Sequence, residues 1–280
     1  MHQDLTDAPV RRSALARFRA LHAEGTFVMP NPHDIGAAKL LAALGFPALA
    51  STSQGFANSI GQLDGSVTRA QLLEHVRNLC AATALPVNVD SERCFPEADG
   101  GVTRTVELLA AAGASGCSIE DWNPVDRVIE PMMLAIDRVA EAVAAARRVG
   151  MVITARAENL IRGNYDLDDT LARLAAYAAA GADVVYAPGV ATADQVARVV
   201  ALGTTPVNVL LLPGGPDIAQ LTQLGARRIS LGSLLSGAAY GAFANAAQQL
   251  LTDGRLASTN TYLPRKLEQR AFGAEPPPPA

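Results

Sequence analysis

The sequence predicts an α/β fold, a single (β/α)8 barrel, and three observations carry that expectation. The chain has 280 residues, a length that one closed barrel and its helices fill. Hydrophobic residues make up 49% of it and aromatic residues only 5%, so the core must be built from the small aliphatic side chains that parallel strands buried on both faces use. The third observation is a repeated junction: apolar helical patterns end at Gly45, Gly113, Gly181 and Gly225, and each is followed at once by a β-rich run. Glycine enters the left-handed conformation that stops a helix, so each junction reads as a helix handing over to the next strand. An open, doubly wound sheet is the competing arrangement, because a linear pattern does not reveal closure.

Taken in order, a leading helix over about 10–23 is expected to cap one end of the barrel. Strands are expected at 26–31, 48–53, 86–91, 116–122, 151–159, 184–189, 206–212 and 228–233. Each is rich in Val, Ile, Leu or Ala without clean alternation, as a strand covered on both faces should be. The stretches 103–112, 137–148, 168–180 and 192–202 space their apolar residues by three and four, the helical period. One domain over 1–272, closing with a C-terminal helical segment, accounts for all of this. The remaining 273–280, GAEPPPPA, carries prolines that exclude helix and sheet and reads as a disordered or extended tail.

Composition excludes several functions. The net charge is -4 and no Lys/Arg cluster interleaves with aromatic residues, so nucleic acid is not an expected partner. The first 19 residues are charged where a signal peptide needs an apolar run, and no run is long enough to span a bilayer. Cys80, Cys94 and Cys117 form no C-x-x-C pair, which fits free thiols and a cytoplasmic location. Lys39 and Lys266 are the only lysines; one lies in a predicted helix and the other near the end, so neither suits Schiff-base chemistry.

In parallel barrels chemistry collects at the carboxyl ends of the strands. Those ends here carry Ser51, Thr52 and Ser53, then Asp90 and Glu92, Glu120 and Asp121, Arg156 and Glu158, and Asn208. Carboxylates crowded at one rim repel, and a hard divalent cation or proton uptake relieves them. Oxygen donors without a nearby histidine favour Mg2+ or Mn2+ over Zn2+. Asp90 and Glu92 are two residues apart, so on a regular strand both would face one side. Each acid has a plainer alternative as a helix cap or ion-pair partner. Arg156 reads either as a clamp for a substrate carboxylate or phosphate or as the neutralising partner of Glu120 or Glu158. Ser51, Thr52 and Ser53 either offer donors to an anion or cap the turn that follows. Cys94 lies near the rim without an evident histidine partner.

The stretches PNPHDIGAAKLLAALGFPALASTSQGFANSIGQLDG, PVNVDSERCF, GASGCSIEDW, VITARAEN, GADVVYAPG, PVNVLLLPGG and LGARRISLGS, in this order, resemble the isocitrate lyase and phosphoenolpyruvate mutase superfamily. The resemblance implies a (β/α)8 barrel, commonly tetrameric with its last helix packed on a neighbour, so a homo-oligomer, tetramer or dimer, is expected. It implies Mg2+ and a small 2-oxo or 2-hydroxy carboxylic acid as substrate. The family's substrate loop falls on Ser51, Thr52 and Ser53, its acidic residue after the second strand on Asp64, its metal carboxylates on Asp90, Glu92 and Glu120, and its fifth-strand arginine on Arg156. Catalysis would then rest on Arg156, Asp64 and Glu120, substrate binding on the serine loop, Arg156 and Asn208, and proton transfer on Asp64, Glu158 or Tyr186. The sequence departs from the family on the lid, WNPVDRVIEPMM, which has no Cys, His or Lys, and at Arg93, Cys94, Ala187 and Pro188. The expected function is Mg2+-dependent carbon-carbon cleavage through an enolate; phosphonate chemistry and a non-catalytic anion-binding barrel are the alternatives.

Overall fold

Eight short parallel strands alternate with helices in the computed structural model, which describes residues 8–255 and 262–273. The order is α1 (Ala8–Ala23), β1 (Phe27–Met29), α2 (Ile35–Leu44), β2 (Leu49–Ala50), α3 (Ser53–Ser59), α4 (Arg69–Ala82), β3 (Val87–Asp90), α5 (Gly101–Ala111) and β4 (Gly116–Glu120). A hairpin of β5 (Trp122–Asn123) and β6 (Val128–Ile129) interrupts the alternation before α6 (Met132–Val149) and β7 (Val152–Arg156). The chain continues through α7 (Leu167–Ala179), β8 (Val184–Tyr186), α8 (Ala193–Val200), β9 (Val207–Leu210), α9 (Ile218–Gln223), β10 (Arg228–Ser230), α10 (Leu234–Asp253) and α11 (Arg265–Phe272).

The sheet runs β1-β10-β9-β8-β7-β4-β3-β2. Its two ends meet where the Ala50 amide donates to the Pro30 carbonyl at 3.0 Å, which closes the ring and removes the open-sheet alternative. All four junction glycines adopt left-handed φ values between 92° and 105°, as a helix-ending glycine should. The aliphatic core lies between the strands and α4 to α9. At the amino ends of the strands α1 plugs the barrel with Phe18, fully buried and edge-on to Phe27 at 6.5 Å between centroids.

All eight strands end before their expected bounds, three of them at residues that bear on the site. Thr52 leaves the second by capping α3 through its hydroxyl, which accepts from the Gly55 amide. The fourth breaks at Asp121, so Trp122 begins the hairpin instead of continuing the barrel. The fifth stops at Arg156, and Asn159–Ile161 form a 3-10 turn. At the second strand a polar side chain satisfies a backbone donor locally, and such bonds compete with the ladder; at the fourth and fifth, Asp121 Oδ1 accepts from the Glu158 amide across the rim. Of the expected tail, 273–280, all but Gly273 lies outside the described residues. No described helix is long and apolar enough to cross a membrane.

Candidate active site

The carboxyl ends of the strands surround a cavity of about 260 Å³ lined by Ser51, Thr52, Ser53, Asp64, Asp90, Glu92, Glu120, Arg156, Glu158, Tyr186 and Asn208, whereas Asp121, also a strand-end acid, lies outside the lining. Arg156, at the end of β7, is its electrostatic centre. Nη1 donates to Asp90 Oδ1 at 2.7 Å, Nε donates to Glu158 Oε1 at 2.9 Å, and Nη2 lies 2.8 Å from the same Glu158 oxygen and 3.2 Å from Glu120 Oε2. Three strand-end acids therefore converge on one guanidinium.

In the serine loop Thr52 caps α3, and Ser51 and Ser53 turn toward Asp90. Ser51 accepts from the Asp90 amide through its hydroxyl at 2.8 Å, and the Ser53 amide donates to Asp90 Oδ2 at 3.2 Å. The loop thus positions Asp90 while lining the cavity. Asp90 and Glu92 share the cavity by a different route from the expected strand alternation. β3 ends at Asp90, and Glu92 follows with a left-handed φ of 49°, a conformation rare for a side chain of its size.

The acids carry the mark of confinement. Burial, the neighbouring charge of Asp90 and that of Asp64 push Glu92 up to about 7. Glu120 is driven well above the carboxylate range by burial and by Glu158, with Arg156 opposing. Burial also raises Glu158, against the pull of Arg156 and Arg162. Burial alone would lower Arg156, but Glu158, Asp90 and Glu120 outweigh it and hold the guanidinium charged. Glu158 is further fixed from behind: its amide donates to Asp121 Oδ1 at 2.8 Å, and Asp121 also accepts from Tyr177 at 2.6 Å and Arg173 at 3.1 Å.

The donor chemistry fits a hard divalent cation. Asp90, Glu92 and Glu120 offer only oxygen to one cavity, and burial together with neighbouring carboxylates raises Glu92 and Glu120, a cost that such a cation would relieve. Among the described residues no three acidic, histidine or cysteine side chains are gathered in ligand geometry, and Asp90 and Glu120 both pair with Arg156.

Several lining residues escaped the sequence reading. Arg228, at the start of β10, is 2% exposed; its Nε donates to Asn208 Oδ1 at 2.8 Å and its Nη2 to Thr154 Oγ1 at 2.9 Å. This fixes the Asn208 amide with its Nδ2 toward Ser230, 2.9 Å away. Burial pulls the Arg228 pKa down, as expected for a guanidinium bonded to neutral acceptors. Asn88 lines the same floor with a buried Oδ1 that has no partner among the described residues. Arg162 and Trp122 line the mouth. The doubled arginine at 227–228, opening an apolar strand, was the available signal for Arg228. Cys94 and Cys117 are fully buried, and Lys39 lies in α2 away from the cavity lining.

A family model described as phosphoenolpyruvate phosphomutase matches residues 18–251. An uncharacterised protein of Mycobacterium tuberculosis is 33% identical over 258 residues, covering 89% of this chain and 92% of that one. Oxaloacetate decarboxylase of Rhodopseudomonas palustris is 33% identical over 171 residues, 59% of this chain and 58% of that enzyme. Among solved structures, a Burkholderia cenocepacia protein described as a lyase/mutase superposes with a TM-score of 0.90 at 44% identity, covering 95% of this chain and 98% of that one. The chain belongs to the phosphoenolpyruvate phosphomutase family and is an enzyme of the phosphoenolpyruvate mutase/isocitrate lyase superfamily, whose lyases and mutases it resembles in both sequence and barrel.

Proposed function

We propose that this enzyme cleaves a carbon-carbon bond of a small 2-oxo or 2-hydroxy carboxylic acid through an enolate, by decarboxylation or retro-aldol cleavage, with Mg2+ or Mn2+ held by Asp90, Glu92 and Glu120. The observation that carries this reading is the convergence of buried carboxylates on Arg156 inside one cavity. The similarity to oxaloacetate decarboxylase supports the same class of chemistry. When bound, the cation supplies Lewis-acid stabilisation of negative charge developing on the substrate oxygens.

The chain's own groups supply the rest. Arg156 and the serine loop set the orientation of the substrate's carboxylate, since a guanidinium fork favours a planar anion. Trp122 and Pro124 of the hairpin line the mouth and exclude water from the reacting carbon. Tyr186 lines the cavity with its ring centroid 5.3 Å from the Arg156 guanidinium carbon. Burial pushes its phenol up to about 12, so it stays protonated at neutral pH and stands with Asp64 and Glu158 as a candidate to deliver a proton to the enolate carbon. Asp64, exposed at the mouth, is placed to exchange protons with solvent. The reading also takes the protein as a homo-oligomer, supported by the apolar face that α10 exposes.

Calorimetric titration tests the reading, because oxalate copies the planar, dianionic shape of the enolate. Oxalate should bind only in the presence of Mg2+, and Asp90→Ala should abolish that linkage. Oxalate binding that ignores both Mg2+ and the substitution would overturn the proposal.

A further inference from the structure

Arg162 stands outside the ring of groups that Arg156 gathers. It follows the 3-10 turn after β7 and lines the cavity mouth, with a side chain 30% exposed. Two contacts hold it. Its guanidinium carbon lies 4.6 Å from the centroid of the Trp122 ring, and its Nη2 lies 3.6 Å from Glu158 Oε2. That oxygen is buried and accepts no hydrogen bond among the described residues. The other oxygen of the same carboxylate, Oε1, faces Arg156 at 2.8 Å. Glu158 thus spaces two guanidiniums by the width of one carboxylate and a contact on either side.

The two cations differ in what they can still bind. Arg156 is surrounded by Asp90, Glu120 and Glu158, whereas the guanidinium of Arg162 donates no hydrogen bond to any described residue. Stacking on an indole leaves the edge of a guanidinium, with its paired N–H groups, free for an anion. The hairpin's own basic residue, Arg127, is exposed and does not line the cavity. Arg162 is therefore the cation at the mouth, one carboxylate's span from the rim.

We propose that Arg162, stacked on Trp122, is a specificity-determining residue that receives the distal carboxylate of a dicarboxylic acid whose 2-oxo or 2-hydroxy end sits among Asp90, Glu92, Glu120 and Arg156. The assignment rests on the reading of the rim given above. A monocarboxylic acid of equal length gains nothing from Arg162, so selectivity is set at the mouth while the rim binds the part of the substrate common to both.

Three ligands titrated in the presence of Mg2+ test the assignment without requiring turnover: oxalate, which occupies the rim alone; malate; and 2-hydroxybutyrate, which replaces malate's distal carboxylate with a methyl group. Wild-type protein should prefer malate over 2-hydroxybutyrate by about 10- to 100-fold, the range for a charge-assisted hydrogen-bonded pair. Arg162→Gln should erase that preference while leaving oxalate and 2-hydroxybutyrate within about twofold of wild type, and Arg162→Lys should keep part of it. Equal weakening of all three ligands in Arg162→Gln, or an intact malate preference, overturns the assignment. Oxalate binding without any wild-type preference for malate overturns the assignment alone; wild-type protein that binds none of the three overturns the reading of the rim as well.

Discussion

Arg156 shows how one residue organises a site made of mutually repelling groups. Removing a partner from a buried ion pair leaves an uncompensated charge, so the cluster is held together by mutual dependence more than by net attraction. Asp121 stabilises this arrangement by fixing the backbone of Glu158 from outside the cavity. A second buried titratable residue lies apart from the site. His75 is 6% exposed and stacked on Phe56 at 3.8 Å between centroids, and burial lowers its pKa to about 4. The unfolded chain takes up a proton near pH 6.5 that the folded protein refuses until about pH 4. His75 therefore leaves stability intact above pH 6.5 and removes up to about 3 kcal/mol as the pH falls through that window. Urea denaturation of wild type and His75→Leu at pH 7 and pH 4.5 checks this: the loss on acidification should shrink in the variant, and equal losses would refute it. The strand-end acids were legible in the sequence because a charge ending an apolar run is conspicuous. Arg162 was not, and the doubled arginine at 227–228 marked Arg228 without placing it in the cavity, because a side chain's access to a barrel's interior depends on strand stagger and on turns that no local pattern encodes.

At the scale of elements, the junction glycines separate conformational from steric demands. Gly45 and Gly113 both have left-handed φ values, 94° and 105°. A Cβ at Gly45 would meet nothing within 4 Å, whereas one at Gly113 would lie 2.9 Å from Cys80 Cβ on α4. Gly45→Ala should cost ~1 kcal/mol from backbone strain alone, and Gly113→Ala about 2–3 kcal/mol because α4 must also move. Denaturant midpoints of the two variants measure the difference, and equal costs would show that contact with α4 contributes nothing. The hairpin that closes over the mouth is anchored at its base. Glu130 is buried and pairs with Arg93 and Arg138, and its carbonyl accepts from Arg173 at 3.0 Å. The sequence marked helix ends well, because capping is local. It overran the strands at 48–53 and 116–122, because polar residues after a strand can turn the chain without changing the apolar pattern before it. Glu92 illustrates the limit: its place in the cavity follows from a left-handed turn that its spacing from Asp90 does not reveal.

At the scale of the molecule, α10 is the element that the described barrel leaves uncovered. Of its 20 residues only Ser236 is buried, while Tyr240, Phe243, Leu250 and Leu251 are exposed. A surface of this kind is ordinarily covered by another protein, and the homo-oligomer proposed above would cover it. Light scattering at micromolar concentration should find a dimer or larger, and Phe243→Asp should shift it toward monomer; a wild-type monomer would refute the expectation. Eight strands, the helices between them, the rim on which chemistry collects and the family itself were determined by the sequence, because each rests on local propensity, periodicity or motif order. Only the tertiary structure decided that the sheet closes, that Arg156 gathers three acids about itself, and that Arg162 meets Trp122 at the mouth. Those facts depend on which distant segments share a few ångströms of space, and that is settled by closure of the ring and stagger of its strands, which no stretch of the chain specifies alone.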